Sequence, residues 1–191
     1  MTTPRRTTTV PTSPPSTPRL ALPPVRAGQA VLDGAWWPRS WDPVAELPGL
    51  LLALSDRYGP VRQVMLHRGT WIGDVRRLAV GTRRVQIGWF GSLDPALAIA
   101  TTDRGDQIDL LVVPPRTPEA LARSAMAMAA DPANTMRAAA LLAAAAAAPA
   151  RTPPGAAEPT SAWDNEGGHL AEVATSRPAT PSPTSRAMAR R

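Results

Sequence analysis

Apolar positions follow two different rhythms along this chain, and the change comes near residue 60. Before it, Leu47, Leu50, Leu51 and Leu54 recur at helical spacing and define one apolar face. Asp42-Pro43 starts that helix, with a side-chain acceptor at the N-cap and a proline in the first turn, where its missing N–H costs nothing. Pro48 bends the helix or delays its start, and Gly59-Pro60 ends it. Upstream, Leu20-Ala21-Leu22 runs into Pro23-Pro24, which limits it to a brief edge strand because proline donates nothing to a ladder. Leu32 to Asp42, carrying Trp36, Trp37 and Trp41, reads as a loop.

After residue 60 the period shortens to two. Strands are predicted at about 61–67, 77–80, 83–90, 96–101 and 108–113, with the clearest alternation at Val85, Ile87 and Trp89 against Arg84, Gln86 and Gly88. Gly81-Thr82 fits a tight hairpin and Asp103-Arg104-Gly105-Asp106 a longer one, so the strands they join are antiparallel. Ile108 to Val113 is apolar apart from Asp109, as in a strand buried on both faces. Thr117-Pro118-Glu119 then opens a helix with Leu121, Ala125 and Met128 on its apolar stripe. Asp131-Pro132 opens another, running through the alanine tract to Pro149. Strands that run consecutively, in place of alternating with helices, imply an α+β fold: a small antiparallel sheet packed with an amphipathic helix and one or two C-terminal helices.

Composition sets the boundaries. Residues 1–18 and 149–191 hold 12 of the 23 prolines, with threonine, serine and alanine around them, and are expected to be disordered tails flanking a single domain at 19–148. Cysteine is absent, which removes disulfides, thiolate nucleophiles and the common structural zinc sites. His67 and His169 are far apart, so no histidine metal centre is indicated, and no cofactor motif appears. Arg5-Arg6 has the look of a twin-arginine signal, yet no apolar segment follows it, and the tract Ala138 to Ala148 is too short for a bilayer crossing. The expectation is a soluble cytoplasmic protein with no membrane partner.

All 21 basic residues are arginine, in keeping with codon bias in a GC-rich genome. The formal charge is +6, but residues 19–131 carry 13 Arg against 11 Asp and Glu, so most of the excess lies in the tails. Nucleic-acid contact is therefore expected to be weak and confined to Arg5, Arg6, Arg186, Arg190 and Arg191.

Three groups of residues are candidates for chemistry. Trp36 and Trp37 with Arg39, Asp42 and His67 would line a pocket for a planar or anionic ligand; the alternative is that the two tryptophans point to opposite sides, one into the core and one against an arginine. Arg62, Arg68, Arg76, Arg77, Arg83 and Arg84 would grip phosphate if the sheet gathered them, but adjacent pairs point to opposite faces of a strand. Trp163 with Asp164 and Glu166 resembles a short linear motif that anchors an aromatic in a partner's pocket. No nucleophile elbow, phosphate loop or dinucleotide fingerprint is present, and no catalytic residue is indicated.

The segments Leu32-Asp33-Gly34-Ala35-Trp36-Trp37-Pro38-Arg39-Ser40, Arg84-Val85-Gln86-Ile87-Gly88-Trp89-Phe90 and Leu110-Leu111-Val112-Val113-Pro114-Pro115 resemble, in that order, the markers of an uncharacterised domain family of high-GC bacteria. The resemblance spans about 20–130 and implies no activity, ligand or catalytic residue. Two readings stay open: a non-enzymatic binding or regulatory module, and a small-ligand protein or enzyme built on the Trp36–Asp42 pocket.

Overall fold

Ile108 to Val113, the most apolar run in the strand-rich half, becomes an interior strand of the sheet, and the rest of the architecture is arranged about it. In a computed structural model, residues 8–26 and 28–148 are described. Their elements are β1 Leu20–Ala21, β2 Gly34–Trp36, α1 Pro43–Tyr58, β3 Val61–His67, β4 Arg77–Val80, β5 Arg83–Phe90, β6 Leu97–Thr102, β7 Gln107–Val112, α2 Glu119–Ala129 and α3 Ala138–Ala147. The strands form one seven-stranded sheet in the order β1-β2-β7-β6-β3-β5-β4. The fold is α+β.

The sheet is larger than expected, and mixed. β4–β5 and β6–β7 are antiparallel hairpins, as their turns require, and β1–β2 and β3–β6 are antiparallel too. β2–β7 and β3–β5 are parallel. A tight turn dictates the sense only of the two strands it joins. The longer connection from β3 to β4 passes to the sheet edge, and β5 returns between them alongside β3.

Alternation decides what each face carries. Val64 and Leu66 of β3, Leu78 and Val80 of β4, Val85 and Ile87 of β5, Ala98 and Ala100 of β6 and Ile108, Leu110 and Val112 of β7 join Leu47, Leu50, Leu51 and Leu54 of α1 in one buried core. α1 runs unbroken from Pro43 through Pro48, so its start is not delayed, and Asp42 Oδ1 accepts from the Val44 N–H at 2.8 Å as its cap. On the opposite face Ala35, Leu111 and Val113 pack with Ala122, Ala125 and Ala129 of α2 and Ala138, Leu141 and Ala145 of α3. Alanine at these contacts lets the two helices lie close to each other.

Three local readings need correction. Part of the tryptophan loop is a strand: Gly34, Ala35 and Trp36 pair with Leu110, Leu111 and Val112, and only the β-averse Gly34 hides this in the sequence. Asp131-Pro132 does not start α3. The Asp131 and Asn134 side chains accept from Ala133 and Met136 N–H groups in successive turns, and the helix begins only at Ala138. Thr117 does not cap α2, whose N-cap residue is Pro118.

Residues 8–18, expected from composition to be a tail, are laid against the domain. Thr9 forms a parallel bridge with Leu78, its N–H donating to Arg77 O at 2.8 Å and its carbonyl accepting from Ala79 N–H at 2.9 Å. Further on, Arg39 Nη1 donates to Thr17 O at 2.9 Å. Composition measures the apolar surface a segment can bury; it does not register backbone bonds made at another element's edge. The segment 149–191, with its expected disorder, lies outside the described residues. No helix among the described residues is long and apolar enough to cross a membrane.

Candidate interaction surface

The five residues proposed as a pocket do not converge. Trp36 has no exposed surface and stacks on Trp71 with ring centroids 5.1 Å apart and planes at 15°; Trp71 in turn meets Trp41 edge-on at 5.2 Å. A ligand would reach Trp36 only by opening the core. Trp37, one residue on, points to the other side of the sheet, where it belongs to the helix-covered core. Its indole N–H donates to Pro114 O at 3.1 Å, and Arg19 lies over its ring with Cζ 3.5 Å from the centroid. Arg19 also donates to Trp37 O and Pro38 O, at 2.9 and 2.6 Å, and burial lowers its pKa from the usual arginine value. Arg39 is tied to Thr17, and Asp42 caps α1. Behind them the buried Glu46 accepts from both the N–H and the hydroxyl of Ser40, at 2.9 and 3.1 Å, which pins the loop to the helix. These contacts hold the segment together from within.

His67 stands elsewhere. Its Nδ1 accepts from the Gly69 N–H at 3.2 Å and lies 2.8 Å from Thr70 Oγ1. It is paired in register with Phe90, on the sheet face away from α1. The six arginines are scattered. Arg77 and Arg84 share that same face, opposite Gln86 and Ala79, while Arg83 pairs with Asp103 at 2.7 Å. Trp163, Asp164 and Glu166 lie outside the described residues.

What the sheet does gather is a continuous uncovered surface. α2 packs over β1, β2 and β7, and α3 over β7. Among the described residues no helix is part of the same face across β3, β5 and β4. Register places Gly88, Met65, Ile99 and Asp109 in one row across β5, β3, β6 and β7, and Arg77, Gln86, Gln63, Thr101 and Gln107 in the next. An antiparallel sheet with one wet face normally shows polar residues there. Here Met65, Ile99 and Phe90 take outward positions: Phe90 is 44% exposed, and Met65 and Ile99 are half-buried. Its ring leans back over Gly88: a Cβ at position 88 would meet Phe90 Cε2 at 2.8 Å and Met65 Cγ at 3.5 Å. The glycine thus provides the floor on which the phenylalanine lies beside Met65.

The surface is electrically polar from end to end. Arg77 and Arg84 stand at the β4–β5 end, without an ion-pair partner among the described residues. At the β7 end Asp109 is half-buried; Gln107 Nε2 donates to its two oxygens at 2.8 and 3.0 Å. Burial raises the Asp109 pKa above the ordinary carboxylate value, Gln107 opposes that rise, and the neighbouring Asp33 adds to it. Asp33 accepts from the Asp109 N–H at 2.9 Å and is held by both Nε and Nη2 of Arg26, at 2.7 and 3.2 Å. Among the described residues no group of three or more His, Asp or Glu side chains is placed to hold a metal ion.

Residues 19–129 match the family of unknown function DUF5994. The chain belongs to that family. No curated protein and no solved structure matches it. The DUF5994 match starts at Arg19, the residue that covers Trp37, and ends at Ala129, the last residue of α2, so the whole uncovered face lies inside it. α3 and residues 8–18 lie outside the match. Sequence reasoning did not single out Met65 and Ile99, which stand half-buried on this face. Their signal was apolar character at both parities of β3 and β6, which reads equally well as a strand buried on both sides.

Proposed function

We propose that this DUF5994 domain is a non-enzymatic protein-binding module, and that it binds through the uncovered half of its sheet. The observation that carries this reading is the outward trio Met65, Ile99 and Phe90, with Phe90 braced over Gly88 and Arg77 and Arg84 at one end. An exposed aromatic seated among half-buried apolar neighbours, with arginine beside it, fits an interaction site. The complementary partner is a protein surface with an apolar centre and carboxylates positioned to meet Arg77 and Arg84.

The test places a photoreactive side chain at position 90 and, as a control, at position 52, since Leu52 is 46% exposed on α1. Cross-linking in cells is expected to give a discrete adduct from position 90 that is absent from position 52 and is lost when Arg84→Glu is added. Equal adducts from both positions, or an adduct indifferent to Arg84→Glu, would overturn the reading.

A further inference from the structure

The stretch from Thr9 to Arg19 runs from one edge of the sheet to the other. Thr9 bridges β4, the last strand, and Arg19 leads directly into β1, the first. Six strand spacings amount to roughly 29 Å, and the extended chain between these two residues reaches about 35 Å. It is therefore close to taut. It crosses α1 at Gly49, where a Cβ would lie 1.9 Å from Ser16 O and 3.6 Å from Pro18 Cδ. A Pro-Gly pair inside a helix is costly on both counts, and this close crossing accounts for the glycine. Beneath the strap a cleft of about 190 Å³ is lined by Val10, Pro11, Ser13, Pro15, Pro48 and the end of β4, including Val80.

The strap holds the β4 edge by a single bridge. In a parallel pairing centred on Thr9 and Leu78, the next acceptor along β4 is Ala79 O, and the residue that faces it is Pro11, which has no N–H to give. An edge strand with free backbone groups is a template for pairing with another chain. We infer that the β4 edge is a strand-acceptor site which the strap fills in its own molecule, and that a second copy's residues 8–18 fill it when the strap is released. The occupant is fixed by what already lies there. The exchanged segment makes the same Thr9 bonds and the same crossing over α1, so only the connection near β1 has to change, and the two copies meet at their β1 edges. Such an exchange is a low-cost route to a dimer.

The cysteine-free sequence makes a direct test simple. Val10→Cys and Val80→Cys, both lining the same cleft, are introduced together in the full chain. Oxidation at low concentration is expected to close an intramolecular disulfide. Adding Gly49→Ala drives a methyl against Ser16 O and lifts the strap. The Ala79 amide, which donates to Thr9, then exchanges hydrogen about tenfold faster. Exchange between copies is read with Gly49 intact, by mixing a Val10→Cys chain with a Val80→Cys chain: a disulfide-linked heterodimer is expected in proportion to concentration, and it is lost when Gly49→Ala is added to the Val80→Cys chain, because a second copy's strap makes the same crossing. Arg39→Ala, which removes the bond to Thr17, is the second variant should Gly49→Ala fail to fold. A mixture that gives no such heterodimer, or one indifferent to Gly49→Ala in the Val80→Cys chain, overturns the exchange, and an Ala79 amide unchanged by Gly49→Ala overturns the strap.

Discussion

On one face of the sheet, inward positions from β4 across to β2 are buried under α1, and the strap crosses above that helix. On the other, α2 and α3 cover β1, β2 and β7, and the face continues past them over β3, β5 and β4 without a helix among the described residues. The covered face is built from branched aliphatic side chains and stacked tryptophans. The helix-covered part of the other is built largely from alanines, and the open part from Met65, Ile99 and Phe90 among glutamines, threonine and arginine. The difference separates stability from recognition. Substitutions on the first face act on folding, and substitutions on the open part act on binding.

The largest expected effect comes from the adjacent tryptophans, which serve opposite faces. Trp36→Ala removes a fully buried ring from the Trp71 stack and should cost about 3–5 kcal/mol in chemical denaturation. Trp37→Ala loses a ring that packs in the smaller, alanine-rich core and carries Arg19 over one face, and should fall at or below the lower end of that range. If Trp37→Ala proves the more damaging, the α2–α3 side dominates stability and the ranking of the two faces is reversed.

Phe90→Ser sharpens the contrast. The ring is 44% exposed and rests on a glycine, so its loss should change stability by no more than about 1 kcal/mol while abolishing the photo-crosslinked complex seen from a neighbouring face position. A drop comparable with that of Trp36→Ala would make Phe90 a core residue, and the open face would lose its claim to be a binding surface.

The strands were legible because burial on one face and hairpin turns both leave local marks: Val85 and Ile87 alternate with Arg84 and Gln86, and Gly81 marks the β4–β5 turn. The α+β class followed from them. Pairing order was not legible, since β5 reaches β3 past β4 and nothing local records that neighbour. The strap was hidden for a related reason. Thr9 and Thr17 are fastened through their backbones, and any residue other than proline offers Thr9's N–H and carbonyl. Its one mark in the sequence was Gly49, a helix-interior glycine with no local explanation. Trp36 and Trp37 do not share one side of the sheet because they are adjacent in a strand and its continuation, where adjacency means opposite faces.

The smallest expected effect lies at the acidic end of the open face, and its sign follows from the environment of Asp109. Burial raises its folded-state pKa, so between the unfolded value and the raised value the native state holds more protons than the unfolded chain. Stability therefore falls as pH rises through that window, and above it the charged Asp109 is a standing cost. Asp109→Asn removes the charge beside Asp33 and keeps an oxygen that still accepts from Gln107 Nε2. The variant should melt slightly higher than wild type at pH 7, and the advantage should shrink to nothing at a pH below the ordinary carboxylate range, where both chains are neutral at position 109. A variant less stable at pH 7 would mean that Arg26, held against Asp33, stabilises the Asp109 charge more than burial penalises it. The β7 end would then be a fixed anionic pole of the face, able to orient a partner as strongly as Arg77 and Arg84 do at the other end.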